Sequence, residues 1–134
     1  MRVSERNRVV CYITRGKQLL VFKHDADYEA GIQVPGGGIE PGGESPEAAA
    51  IRESPEETGL SLKNPMFLGS KRYAFETSNQ HWHFFWLEAP ESTPDSWEHC
   101  AENQYTFYHR FANPKTTEIY WPMGDFLPQL EEHL

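Results

Sequence analysis

The chain has 134 residues, 38% hydrophobic and 13% aromatic, enough to close one sizeable core, and it reads as a single domain over 1–134. Twenty acidic against 12 basic residues leave a net charge of −8, which argues against electrostatic adhesion to duplex nucleic acid or to an anionic membrane. An anionic small molecule is not excluded, because a bound cation reverses the local field.

The polar start, Met1 to Arg8, lacks an apolar signal region, and no run approaches membrane-span length. Cys11 and Cys100 form no spaced motif. The expectation is a protein of the reducing cytoplasm, with Cys11 as a small buried hydrophobe in a strand. Arg8 to Thr14 is that strand, rich in β-formers. Arg15-Gly16-Lys17 signals a tight turn, and Leu19 to Lys23 completes a hairpin. His24 to Gly31 is polar and loop-like. Ile32 to Val34 predicts a short strand ending at Pro35. Gly36, Gly37 and Gly38 then remove side chains where backbone comes close to something.

A helix is written clearly from Ser45 to Thr58. Ser45 is a good N-cap, Pro46 suits the first helical position and Glu47 suits the positive end of the helix dipole. Gly59 is a natural stop. Such a helix is roughly 20 Å long. Two β-rich runs follow, Met66 to Glu76 and Trp82 to Glu88, joined by a turn at 77–80. Trp97 to Gln104 predicts a short helix or an ordered loop, and Tyr105 to Phe111 another strand. A last helix is expected over Gly124 to His133. The tally is a mixed sheet with two helices, an α+β or α/β sandwich.

Within the long helix, Glu53, Glu56 and Glu57 fall on one face, since residues three and four apart are neighbours. Three carboxylates so close repel one another unless a cation sits among them, and hard oxygen ligands suit Mg²⁺ or Mn²⁺. Without a cation their pKa values should be raised. The constellation points to metal-assisted chemistry on a phosphate-bearing substrate.

The segment from Gly38 to Leu60 resembles the Nudix box. That signature is Gly, five residues, Glu, seven residues, Arg-Glu, an apolar residue, any residue, Glu-Glu, any residue, Gly, apolar. Gly38, Glu44, Arg52, Glu53, Glu56, Glu57 and Gly59 stand at the matching positions. The resemblance implies a Nudix-type α/β/α sandwich with a mixed central sheet. It also implies hydrolysis of a nucleoside diphosphate linked to another group, with Mg²⁺ or Mn²⁺. Carried over by position, Glu56 and Glu57 are the main metal ligands, and Glu53 is a ligand or the base acting on water. Glu44 supports the metal and its waters, Arg52 holds a carboxylate in place, and the backbone carbonyl at or before Gly38 is a further ligand. The short length resembles compact MutT-type members.

Two residues strain the pattern. Ser54 stands where an apolar residue is usual, and Pro55 removes the donor to the Ile51 carbonyl, a loss of about 3 kcal/mol in a regular helix. The expectation is a bend or a shift of Glu56 and Glu57 relative to Glu53. The alternative reading, a Nudix module that binds nucleotides without turnover, rests on that pair alone.

Some members take an acidic ligand or base from a later loop. Glu98 is the choice here, ahead of Glu102, against the plainer reading of a solvated carboxylate. Lys23, His24 and Arg72 are candidate substrate contacts, with Arg8 a further phosphate contact. His81 and His83 share a strand face by period two, but no third zinc ligand is evident. Most of the dense aromatics should be core, and one or two can stack on a base; Phe22 and Tyr28 are alternatives. The expected partner is a small nucleotide-type molecule. A homodimer is possible, with Trp121, Pro122, Met123, Phe126 and Leu127 as either core or interface.

Overall fold

Val9 to Ile13 are sealed from solvent on both sides of one strand, which makes that strand the centre of the sheet. The computed structural model describes residues 5–24, 31–101 and 105–134. In chain order the elements are β1 (Glu5–Arg15), β2 (Gln18–His24), β3 (Gly36–Gly38), α1 (Pro46–Thr58), β4 (Met66–Ala74), β5 (Asn79–Glu88), β6 (Ser96–Cys100), β7 (Thr106–Ala112) and α2 (Leu127–Glu131). The sheet runs β4-β5-β1-β2-β7-β6, with β3 paired to β1. It is mixed, because β1 lies parallel to β5 and antiparallel to β2 and β3.

The pleat sorts the core into two layers. Val9, Cys11, Ile13, Leu20, Phe85 and Leu87 face α1 through Ala49 and Ala50. Val10, Tyr12, Leu19, Val21, Trp82 and Phe84 face the C-terminal segment through Met123 and Leu130. The result is the α/β/α sandwich expected from the sequence. Met123, Phe126 and Leu127 belong to this second layer, while Trp121 remains 62% exposed. Cys11 is buried and Cys100 exposed, both as free thiols. Among the described residues no helix is long and apolar enough to cross a membrane.

Four expectations need correction. Ile32 and Gln33 make only isolated bridges; the strand forms instead at the glycines, where a Cβ on Gly36 would collide with the Val9 carbonyl. Residues 96–100 form β6, because Trp97 and His99 alternate inward and pair along β7. β4 ends at Ala74 and β5 begins at Asn79, so the connecting turn lies at 75–78, two residues earlier than expected. The last helix is five residues long. Turns closed by Met123, Asp125 and Leu127 amides precede it, and Pro128, which has no N–H, is tolerated only in its first turn.

Candidate active site

Helix α1 carries the site, and its start is capped locally. The Ser45 hydroxyl accepts the Ala48 amide at 3.1 Å, and Pro46 follows. Past Pro55 the helix continues uninterrupted to Thr58, and Gly59 closes it at φ 80°. Ser54, fully buried, donates its hydroxyl to the Ala50 carbonyl at 2.8 Å. Thr58 does the same to the Ser54 carbonyl at 2.6 Å. A polar residue at this core-facing position is therefore satisfied within the helix. The carbonyl that loses its donor to Pro55 belongs to Ile51, which is exposed, so water can serve it.

The box carboxylates meet β3 and Arg52. Glu57 Oε2 accepts the Gly36 amide at 2.6 Å. The Glu53 carboxylate lies over Gly37, in space that a Cβ there would fill. The Arg52 guanidinium forms a two-pronged pair with Glu44, at 2.8 and 2.9 Å. It also donates to Glu53 at 3.0 Å, to Glu56 at 3.1 Å and to the Gly38 carbonyl at 2.9 Å. One cation thus gathers four of the oxygen-bearing groups named from the sequence. Glu44 further accepts the Glu40 amide, which fastens the intervening loop.

Electrostatics separate these carboxyls. Hydrogen bonds from Arg52, then from the Glu40 amide, pull Glu44 down to about 2. Burial pushes Glu57 up to about 8; Glu53 and Glu56 add to the rise, while the Gly36 amide and Arg8 oppose it. Burial also raises Glu53, against the pull of Arg52. Among the described residues no three carboxylate, imidazole or thiol groups already converge as a ligand set. The donors still suit a hard divalent cation: they are carboxylate oxygens and a carbonyl, two are held unfavourably for lone negative charge, and a glycine floor leaves them room.

Beside the box lies an open cleft of about 680 Å³, lined by Arg8, Gly38, Glu40, Glu44, Gln80 and His83 among others. Arg8 stands over the Trp82 ring at 5.5 Å, with its Nε buried and unpartnered. Its charge is felt by both Glu53 and Glu57. Trp82 continues into an aromatic group with Tyr73, Phe75 and Trp121.

The outlying expectations fare unevenly. Arg72 lies on β4 and is bonded to Glu5 at 2.9 Å. His24 packs its ring on Tyr105 and Phe107, and Lys23 sits opposite Tyr108. Glu98 is exposed on β6, also across from Tyr108. Its neighbours Trp97 and His99 point to α1, so strand alternation turns Glu98 the other way. The structure does not bring Glu98 together with the α1 carboxylates, and that expectation is corrected. Tyr28 and Glu102 lie outside the described residues. The rings of His81 and His83 stand 4.2 Å apart, and among the described residues no ligand cluster includes them.

Sequence reasoning missed the residues that close the end of α1. His99 Nε2 lies 3.0 Å from the Glu56 carbonyl, and His109 Nε2 2.8 Å from that of Glu57. Trp97 Nε1 donates to the Thr58 carbonyl at 2.8 Å, and the Gly59 amide to that of Pro55 at 2.9 Å. The only signal in the sequence was the Trp-x-His alternation at 97–99.

Comparison with known proteins agrees with this fold. The NUDIX domain family model matches residues 4–130. The chain is 36% identical over 72 residues to the NAD-capped RNA hydrolase NudC of Haemophilus influenzae, covering 52% of this chain and 27% of that protein. It therefore spans well under half the length of that relative. Among solved structures, the MutT NUDIX hydrolase from Burkholderia pseudomallei superposes with a TM-score of 0.76 at 18% identity, covering 95% of this chain and 98% of the other. A UDP-X diphosphatase superposes with a TM-score of 0.73 at 17% identity, covering 98% and 64%. At these identities the structural likeness is one of fold.

Proposed function

Because the chain belongs to the Nudix family, we propose that it hydrolyses a phosphoanhydride in a nucleoside diphosphate linked to another group, with Mg²⁺ or Mn²⁺ as cofactor. The observation that carries this reading is the gathering of Glu44, Glu53, Glu56 and the Gly38 carbonyl around Arg52, with Glu57 seated on the Gly36 amide. In this reading Glu53, Glu56, Glu57 and the Gly38 carbonyl hold the metal. When bound, it offsets charge on phosphate oxygens and lowers the pKa of its water.

The chain's own groups divide the remaining work. Glu53, held over Gly37 and beside Arg52, would take the proton of the attacking water. Arg52 and Glu44 fix the loop and the helix against each other, so the carboxylates start in place. Arg8, which lines the cleft, would offer its guanidinium to a phosphate oxygen. The exposed Trp121, edge-on to Tyr73 and Phe75, would offer its face to the base. Relatives and fold neighbours named for NAD-capped RNA and UDP-X substrates share the nucleoside diphosphate core, and a net charge of −8 favours a small molecule over a long RNA.

The test is a substrate panel with Mg²⁺: nucleoside triphosphates and their oxidised forms, ADP-ribose, nucleotide sugars, dinucleoside polyphosphates and NAD, with products separated by chromatography. One class should turn over. Glu57→Gln should lower kcat on the order of 10²–10³-fold, the scale of losing one group that stabilises transition-state charge. Trp121→Ala should raise KM by about 5–150-fold with kcat little changed, matching about 1–3 kcal/mol of base stacking. Binding of a nucleotide without turnover in any class would favour the non-hydrolysing module instead.

A further inference from the structure

An α-helix leaves its last four carbonyls without helical partners. In α1 these belong to Pro55, Glu56, Glu57 and Thr58, and each has a named donor. The Gly59 amide serves Pro55, as a left-handed C-terminal residue normally does. The other three are served by ring N–H groups from a distant hairpin: His99 and Trp97 on β6, His109 on β7. Carbonyls only accept, so both histidines carry their proton on Nε2. His109 fits that state: its Nδ1 is buried without a partner, its ring is stacked on Trp97 at 5.2 Å, and burial pulls its pKa down to about 4.

Two of the three clamped peptides belong to box carboxylates. Glu57 is held at its carbonyl by β7 and at its carboxylate by the Gly36 amide of β3. Glu56 is held at its carbonyl by β6 and at its carboxylate by Arg52. The clamp begins directly after Pro55, whose missing N–H leaves the Ile51 carbonyl, one turn earlier, without its helical donor. The His99 ring also lies so close to Gly59 that a Cβ there would come within 3.1 Å of Nδ1.

We propose that Trp97, His99 and His109 are positioning residues: their ring N–H groups fix the last-turn carbonyls of α1 and thereby set the affinity of Glu56 and Glu57 for a divalent cation. This rests on the metal-binding reading of the box. Groups that orient metal ligands from behind typically change metal affinity about 10–100-fold when removed.

The experiment is a Mn²⁺ titration followed by electron paramagnetic resonance, on wild type, Glu57→Gln, His99→Phe, Trp97→Phe, His109→Phe and His109→Gln, each with its melting temperature. Phenylalanine keeps a ring and removes the donor; glutamine returns an N–H near the Nε2 position. Expected is Mn²⁺ affinity weakened about tenfold or more in the phenylalanine variants, and largely restored in His109→Gln. A purely structural role would lower melting temperature and leave the affinity of the folded protein unchanged. His109 is fully enclosed, so if its variants fail to fold, the exposed-edge pair His99→Phe and Trp97→Phe decides. Affinity within twofold of wild type in that pair, with binding abolished in Glu57→Gln, overturns the clamp and leaves the metal reading standing. No Mn²⁺ binding by the wild-type protein overturns both together.

Discussion

The two ends of α1 are closed by different means. At its start, every partner is within a few residues: Ser45 caps Ala48, Pro46 begins the helix, and Glu44 reaches Arg52 two turns on. At its end, Gly59 is local, but the other three carbonyls depend on Trp97, His99 and His109, some forty to fifty residues away. One end is specified by adjacent sequence, the other by tertiary structure. Glu56 and Glu57, the proposed metal ligands, sit at the second end, so the proposed chemistry depends on β6 and β7 being in place.

The ends should also titrate with opposite sign, and this is the largest effect expected. Glu57 is raised to about 8 from an ordinary 4.5. Between those values the metal-free folded state holds a proton that the unfolded chain has released. Its contribution is full below about 4.5 and is lost as pH rises toward 8. Glu53, raised by burial, acts in the same direction. Glu44, lowered to about 2, does the reverse: its contribution is present above the usual carboxylate range and lost as pH falls toward 2. Thermal melts in chelator from about pH 6.5 to 8 should show stability declining with pH, at up to about 1.4 kcal/mol per unit for one such group; from about 5 to 6.5 His109, lowered to about 4 by burial, opposes the decline. Glu57→Gln should flatten the decline, and Mg²⁺ should reduce it. A melting temperature that rises from about pH 6.5 to 8 in chelator would contradict the buried setting of Glu57.

This asymmetry explains what the sequence disclosed. Glu53, Glu56 and Glu57 stand at helical offsets that spacing alone discloses, and the resemblance to the Nudix box adds Glu44 and Arg52. The β1–β2 hairpin is equally local, with its turn at Gly16. The role of β6 was not legible, because Trp97 and His99 acquire meaning only when β6 pairs with β7 and meets α1. Glu98 was misplaced for the same reason: its face is decided by strand register, which a loop or helix assignment cannot supply. Ser54 and Pro55 read as defects because what serves them, the Ala50 carbonyl for the Ser54 hydroxyl and solvent beside exposed Ile51, is invisible in composition. Arg8 looked like one basic residue among several until Trp82 and the box carboxylates were placed around it.

Pro55→Ala sharpens the contrast at the second end. In an isolated helix, alanine in place of an interior proline is worth about 3 kcal/mol. Here the last turn is already held from outside, so the gain should be smaller, about 1–2 kcal/mol, read from denaturant midpoints at unchanged slope. A gain equal to the full helix value would mean the hairpin contributes little to holding that turn.

Ser45→Ala probes the first end and should give the smallest effect. The hydroxyl satisfies one amide, and its loss costs about 1 kcal/mol. Ser45 is exposed and touches neither β6 nor β7, so its loss should add independently to that of any clamp variant. The double variant Ser45→Ala with His99→Phe distinguishes the two closures. Additive stabilities, with Mn²⁺ affinity following His99 alone, would show that the start of α1 contributes stability and its end contributes the geometry of the site. Strong coupling would mean that the helix moves as one rigid piece and that its two ends cannot be assigned separate tasks.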